Sequence, residues 1–297
     1  MRMEKEKCLI HVGPAGWHYK DWYGIVYPEK PDKLFKELDF LATLFNTAEI
    51  NSTFYRPANA FMGSAWVRKV ALNPDFRFTA KLWQRFTHDR KPFTSEEVKQ
   101  YLEGVDPLAQ AQKLGAILCQ FPWSFKNNEE NRKWLANLFD TFKNYPLVVE
   151  VRHGSWDQDE FLSFLDNKNV GFATIDQPVI GQSIPFKPVR TGKIGYVRMH
   201  GRNYQSWFPK KNEKEKQSVF ARYDYYYPEN EISDIVKNVE RVAEGSKETF
   251  VIQNNHPRGQ AVANAMQIRA ALGETIINLP DTMLAQYPDL KKLVNPE

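Results

Sequence analysis

The chain has 297 residues, 42% hydrophobic and 26% charged, with a net charge of +4 left by 40 basic and 36 acidic side chains. These are ordinary values for a globular protein, and this length buries a large core without metals or disulfides. No stretch approaches a membrane span, the two cysteines, Cys8 and Cys119, form no CxxC or zinc pattern, and the small net charge permits a nucleic-acid partner without arguing for one.

The segment from Met1 to Lys7 is charged, and the apolar run behind it is too short for a signal peptide, so a cytoplasmic protein is expected. Short β-rich runs then recur: Cys8–Gly13, Thr47–Tyr55, Arg77–Leu82, Ala116–Pro122, Leu147–His153, Val170–Asp176, Gly195–Gly201 and Phe250–His256. Amphipathic helices separate most of them. Leu34, Leu38, Leu41 and Phe45 form one apolar stripe, and Trp134, Leu135, Leu138, Phe139 and Phe142 another. Thr94 with Glu97 reads as a capping box, and Asp157 with Glu160 as an acidic analogue. Ile232, Ile235, Val236 and Val239 mark a helix after the seventh strand, and Gly259 to Leu272 is the last. Eight strands alternating with helices predict an α/β fold, a single TIM-type (β/α)8 barrel over about residues 8–272. A tail covers 276–297, and no linker or domain boundary interrupts the chain. An open doubly wound sheet is the competing architecture.

Alternation along the strands sets two faces. Glu150 and Arg152 oppose Val149 and Val151. Glu49, Asn51, Thr53 and Tyr55 oppose Ala48, Ile50, Ser52 and Phe54. Gln120 opposes Cys119 and Phe121, and Arg198 and His200 oppose Val197 and Met199. The helix-facing side of a barrel is apolar, so the polar set is expected in the lumen, joined by His11, Lys81, Asp176, Gln253 and Asn255. Most lie late in their strands, where barrel enzymes place their sites.

At these residues the chain resembles the YecE-like family, a bacterial and archaeal domain of unknown function. The resemblance is carried by Gly13-Pro14-Ala15-Gly16-Trp17, Glu49-Ile50-Asn51-Ser52-Thr53-Phe54-Tyr55, Lys81 after Phe78, Gln120-Phe121-Pro122, Glu150-Val151-Arg152-His153 with Ser155-Trp156, Asp176, Tyr196-Val197-Arg198-Met199-His200-Gly201 and Asn254-Asn255. It implies a β/α barrel and brings no settled activity. Gln253 departs from the aromatic more usual there.

Function therefore rests on the residues. The expected reading is an enzyme acting on a small anionic substrate, phosphorylated or carboxylated, by acid–base hydrolysis or isomerisation. Glu49, Glu150, Asp176 and His200 would transfer protons. Lys81, Arg152 and Arg198 would hold the anion, with Asn51, Gln120, Asn255, Trp17 and Tyr55 around the substrate. The opposing reading is a structural ladder in which the carboxylates neutralise the cations. A divalent metal on Glu49, Glu150, Asp176 and His200, as in sugar-isomerase-like barrels, lacks an HxH or HExxH signature and faces three cations, so no cofactor is predicted. A nucleic-acid-binding or nuclease-like barrel is the other class. It would use aromatics at the strand ends (Trp17, Tyr19, Trp22, Tyr23, Trp83, Trp123, Trp156) and the long segment 201–230 with Arg202, Trp207, Lys210, Lys211, Arg222 and Tyr223. That segment is also the expected lid, and the helix start after Asn255 the expected anion cradle. His153 is expected to anchor a loop.

Overall fold

The computed structural model describes residues 8–207 and 220–294. Eight strands, β1 (Leu9–Pro14), β2 (Thr47–Ile50), β3 (Arg77–Lys81), β4 (Leu114–Gln120), β5 (Leu147–Glu150), β6 (Gly171–Asp176), β7 (Ile194–Met199) and β8 (Glu248–Gln253), pair in parallel. Their order β1-β8-β7-β6-β5-β4-β3-β2 curls into a nearly closed barrel of the (β/α)8 type. At the seam between β1 and β2, Ala15 bridges to Glu49 and the Gly16 N–H donates to the Glu49 carbonyl at 2.9 Å. Gly13 makes this approach possible, because a Cβ there would sit 2.1 Å from the Thr47 carbonyl oxygen.

Helices α1 (Glu37–Leu44), α2 (Ser52–Tyr55), α3 (Ala60–Lys69), α4 (Ser95–Gln110), α5 (Glu129–Thr141), α6 (Asp159–Asn167), α7 (Glu229–Ala243) and α8 (Gln260–Ala271) follow the strands. Their starts are local chemistry. Thr94 and Glu97 form the expected capping box, and Asn59 and Asn128 each accept a backbone N–H at the third residue on. The acidic analogue does not form. The N-cap of α6 is Gln158 with no side-chain bond, and Asp157 instead pairs with Lys187 at 2.6 Å. Leu34 precedes α1 and is exposed, outside the stripe to which its spacing assigned it. The connection 177–193 crosses from β6 to β7 without a helix, since Pro178, Pro185 and Pro188 remove backbone donors at short intervals. After Ile276, α9 (Asp281–Gln286) and a 3-10 turn (Pro288–Lys292) bury Met283, Tyr287 and Leu290 in the cluster that holds α7 and α8.

Strand register decides what faces inward, because paired residues of neighbouring strands share a face. Arg198 pairs with Ile175 on one side and Ile252 on the other, and Tyr196 with Ala173 and Phe250. These residues line the lumen, whose lower part is filled by Phe250 stacked on His11 at 4.9 Å. Asp176 and Gln253 both pair with Met199, which packs on the helices. The expectation that Asp176, Gln253 and Asn255 face the lumen is therefore overturned. The second strand is also shorter than predicted: it ends at Ile50, and Ser52–Tyr55 turn as helix.

Candidate functional site

Above the ends of the strands opens a cavity of about 730 Å³. Of the residues predicted for it, Trp17, Asn51, Tyr55, Lys81, Gln120, Arg152 and Arg198 line it. Asn51 and Tyr55 do so from the turn after β2 rather than from a strand. Glu49, Glu150 and His200 are fully buried beneath the lining, and Asp176 lies behind the barrel wall.

Under the floor is a continuous ion-pair network. Arg198 donates from Nη2 to Glu49 Oε1 (2.7 Å), from Nε to Glu49 Oε2 (3.1 Å) and from Nη1 to Glu150 Oε2 (3.1 Å). The Tyr196 hydroxyl reaches Glu49 Oε2 at 2.8 Å and Thr79 Oγ1 at 3.1 Å. Arg152 donates to Glu150 Oε1 from Nε (3.1 Å) and Nη2 (2.9 Å). Burial opposes both charges, yet Arg198 and Arg152 hold the Glu150 carboxyl well below its usual range, and the two carboxylates push Arg198 up. His200 lies between Glu150 Oε1 (3.5 Å) and the Asn254 amide (3.0 Å). Burial, with Arg198 and Arg152 adding to it, lowers its pKa to about 3, so it is neutral.

Asp176 belongs to a separate cluster. Arg202 donates to both its oxygens at 2.8–3.0 Å, and the Tyr227 hydroxyl donates to Oδ2 at 2.6 Å while accepting the Gly201 N–H at 2.8 Å. Asn255 donates to the Tyr225 carbonyl and to Asn264 Oδ1, both at 2.8 Å, and its neighbour Asn254 takes the place in the cavity. The phase was already inverted inside β8, where Gln253 pairs with helix-facing Met199, and continuing the alternation carries Asn254 inward and Asn255 outward.

Lys81 differs from the arginines. Among the described residues no hydrogen bond or ion pair reaches its Nζ, which stands 4.1 Å from the Phe54 ring centroid. Its backbone is fixed by Thr53 Oγ1 (2.7 Å) and the Tyr101 hydroxyl (3.3 Å), both donating to its carbonyl. Burial, reinforced by Arg198 and only partly offset by Glu49 and Glu150, lowers its pKa to about 7.

Sequence reasoning did not assign His88, Asn254 and His256 to the site, though all three line it. Each follows a strand end within a few residues, which was the available signal. Burial brings both histidines to about 4. The expected anion cradle at the start of α8 is already filled, since Asp21 accepts the Arg258 N–H and Asp224 accepts from the Arg258 and Gln260 side chains. From the segment 201–230, Arg222 and Tyr223 line the cavity, whereas residues 208–219, with Lys210 and Lys211, lie outside the described residues. Of the predicted aromatic wall, Trp17 and Tyr19 reach the cavity, while Trp22 and Trp156 are core. His153 anchors a loop as expected, accepting the Ser155 N–H at 3.1 Å. Among the described residues no three His, Cys, Asp or Glu side chains converge as metal ligands, and no helix is long and apolar enough to cross a membrane.

Fold and site together define a β/α-barrel protein with a cationic cavity over a buried ion-pair network. The chain belongs to the DUF72 family, described as "Protein of unknown function DUF72", whose profile matches residues 11–286. It is 30% identical over 272 residues to the UPF0759 protein YunF of Bacillus subtilis (strain 168), covering 88% of this chain and 93% of that protein. Among solved structures it is similar to the DUF72 protein TM1631 of Thermotoga maritima MSB8, with 33% identity and a TM-score of 0.75 over 90% of this chain and 100% of that one. The DUF72 protein EF0366 of Enterococcus faecalis V583 is 26% identical with a TM-score of 0.77, over 92% of this chain and 98% of that one.

Proposed function

We propose that the protein is an enzyme that binds a small organic anion, carboxylated or phosphorylated, in this cavity and transfers a proton on it. One observation carries the reading: the described lining includes Lys81, Arg152, Arg198 and Arg222 and no carboxylate. The lumen carboxylates are below, held by arginines, so the field at the surface is positive. Arg152 is the anion holder, because Arg198 is engaged through all three guanidinium nitrogens while Arg152 keeps Nη1 without a partner among the described residues. Lys81, with a pKa of about 7, is the group able to take and return a proton near neutrality. Glu49, Glu150 and His200 act through these cations rather than on substrate.

Calorimetry with inorganic phosphate and a panel of carboxylate and phosphate metabolites tests this. Saturable binding that weakens with salt and with Arg152→Ala supports it. No binding across the panel, with salt-dependent binding of single-stranded oligonucleotides instead, would replace it with the nucleic-acid reading.

A further inference from the structure

We infer that Lys81 is an imine-forming nucleophile, and that the substrate is a small aldehyde or ketone carrying a carboxylate or phosphate. This deepens the reading above and rests on it for the anionic group.

The surroundings weigh against the two ordinary duties of a barrel lysine. It is not a structural ion pair, because no carboxylate among the described residues contacts its Nζ, whereas the arginines below have carboxylate partners at 2.7–3.1 Å. A purely electrostatic clamp would keep its charge, but here burial and the flanking Arg198 and Arg152 favour the neutral amine. At neutral pH about half of such an amine is free, against roughly one part in three thousand for an ordinary lysine. The Phe54 face, 4.1 Å from Nζ, walls one side of the amine; it attracts the ammonium form, so burial and the flanking arginines, not the ring, favour the free amine. The anchored backbone of Lys81 aims it from the end of β3 into the cavity.

The surroundings match the step. The Nζ lone pair attacks the carbonyl carbon, and the C=O π electrons move to oxygen, which takes a proton to give a carbinolamine. Nitrogen gives up one proton to complete it. The hydroxyl takes a second proton and leaves as water as the nitrogen lone pair closes the C=N bond. The iminium nitrogen gives up its remaining proton, so oxygen gains the two protons that nitrogen loses. Amine and carbonyl become imine and water, with no oxidant or reductant. Gln120 Oε1 is buried in the cavity wall without a hydrogen-bond partner and would accept from the carbinolamine hydroxyl. His88 lies edge-on to Phe54, 4.9 Å between ring centroids, and burial lowers its pKa to about 4, so it stays neutral and adds no positive charge beside the amine. Arg152 would hold the carboxylate or phosphate.

The test is reductive trapping. The protein is incubated near pH 7.5 with pyruvate, glyoxylate or dihydroxyacetone phosphate and cyanoborohydride, then digested and mapped by mass spectrometry. The expected result is a reduced adduct on Lys81, formed at least about tenfold faster than on any other lysine and suppressed by inorganic phosphate. Lys81→Met and Lys81→Arg should lose this adduct and keep the slow background on other lysines. Mapping on the unmodified chain needs neither variant to fold. Anion binding by calorimetry with Lys81 labelled no faster than surface lysines overturns the imine and leaves the anion site standing. No anion binding and no adduct overturns both.

Discussion

The guanidinium of Arg198 on β7 grips the carboxylate of Glu49 on β2 through two bonds of 2.7 and 3.1 Å, across the lumen and 149 positions along the chain. Both side chains are essentially sealed from solvent. The pair joins opposite walls of the barrel and sets the charge beneath the cavity.

Arg198→Met should destabilise the fold by about 3–5 kcal/mol, since it leaves Glu49 buried without its partner. Denaturant titration measures it. Glu49→Gln added to Arg198→Met should cost less than the sum of the single changes, because the pair acts as a unit. Additive losses would mean that the bond contributes nothing as a pair.

Arg152→Ala should leave the fold intact, because Glu150 keeps Arg198, and should weaken anion binding by about 1.5–3 kcal/mol. Calorimetry with phosphate reads the affinity, and circular dichroism the fold. Unchanged affinity would remove Arg152 from the site.

Asp176→Asn should separate structure from chemistry. Its carboxylate faces Arg202 and Tyr227 outside the lumen, so the change should cost about 1.5–3 kcal/mol of stability while leaving anion affinity within about twofold. A large loss of affinity in a folded variant would return Asp176 to the site.

Stability should fall on acidification below pH 6.5. His88, His200 and His256 have folded pKa values of about 4, 3 and 4, against an ordinary 6.5, so the unfolded chain binds more protons in that window. Their contribution is complete above 6.5 and is lost as pH drops toward the folded values. Lys81, lowered from 10.5 to about 7, adds a second rise in stability with pH between those values. Thermal melts across pH 4–11 should show both rises, and Lys81→Met should flatten the upper one. A flat profile of the unmodified chain above pH 7 would contradict a depressed Lys81.

What the sequence determined alone was the architecture and much of the cavity's lining. Alternation of period two and helical stripes are local properties, and so were enough to count eight strands and to put Lys81, Gln120, Arg152 and Arg198 at their upper ends. Alternation carries no phase where both faces are apolar. β6 reads Gly-Phe-Ala-Thr-Ile-Asp, and only its register with β7 shows that Ala173 and Ile175 face the lumen and Asp176 does not. Strand ends were equally out of reach, because helix at Ser52 and the stop at Gln253 depend on packing at the barrel mouth. Tertiary structure alone chose the partners of Arg198. Closure of the barrel brings Arg198 to Glu49 and to Glu150, while Arg152 meets Glu150 only two residues back on its own segment, and among the described residues this leaves Lys81 with no carboxylate partner.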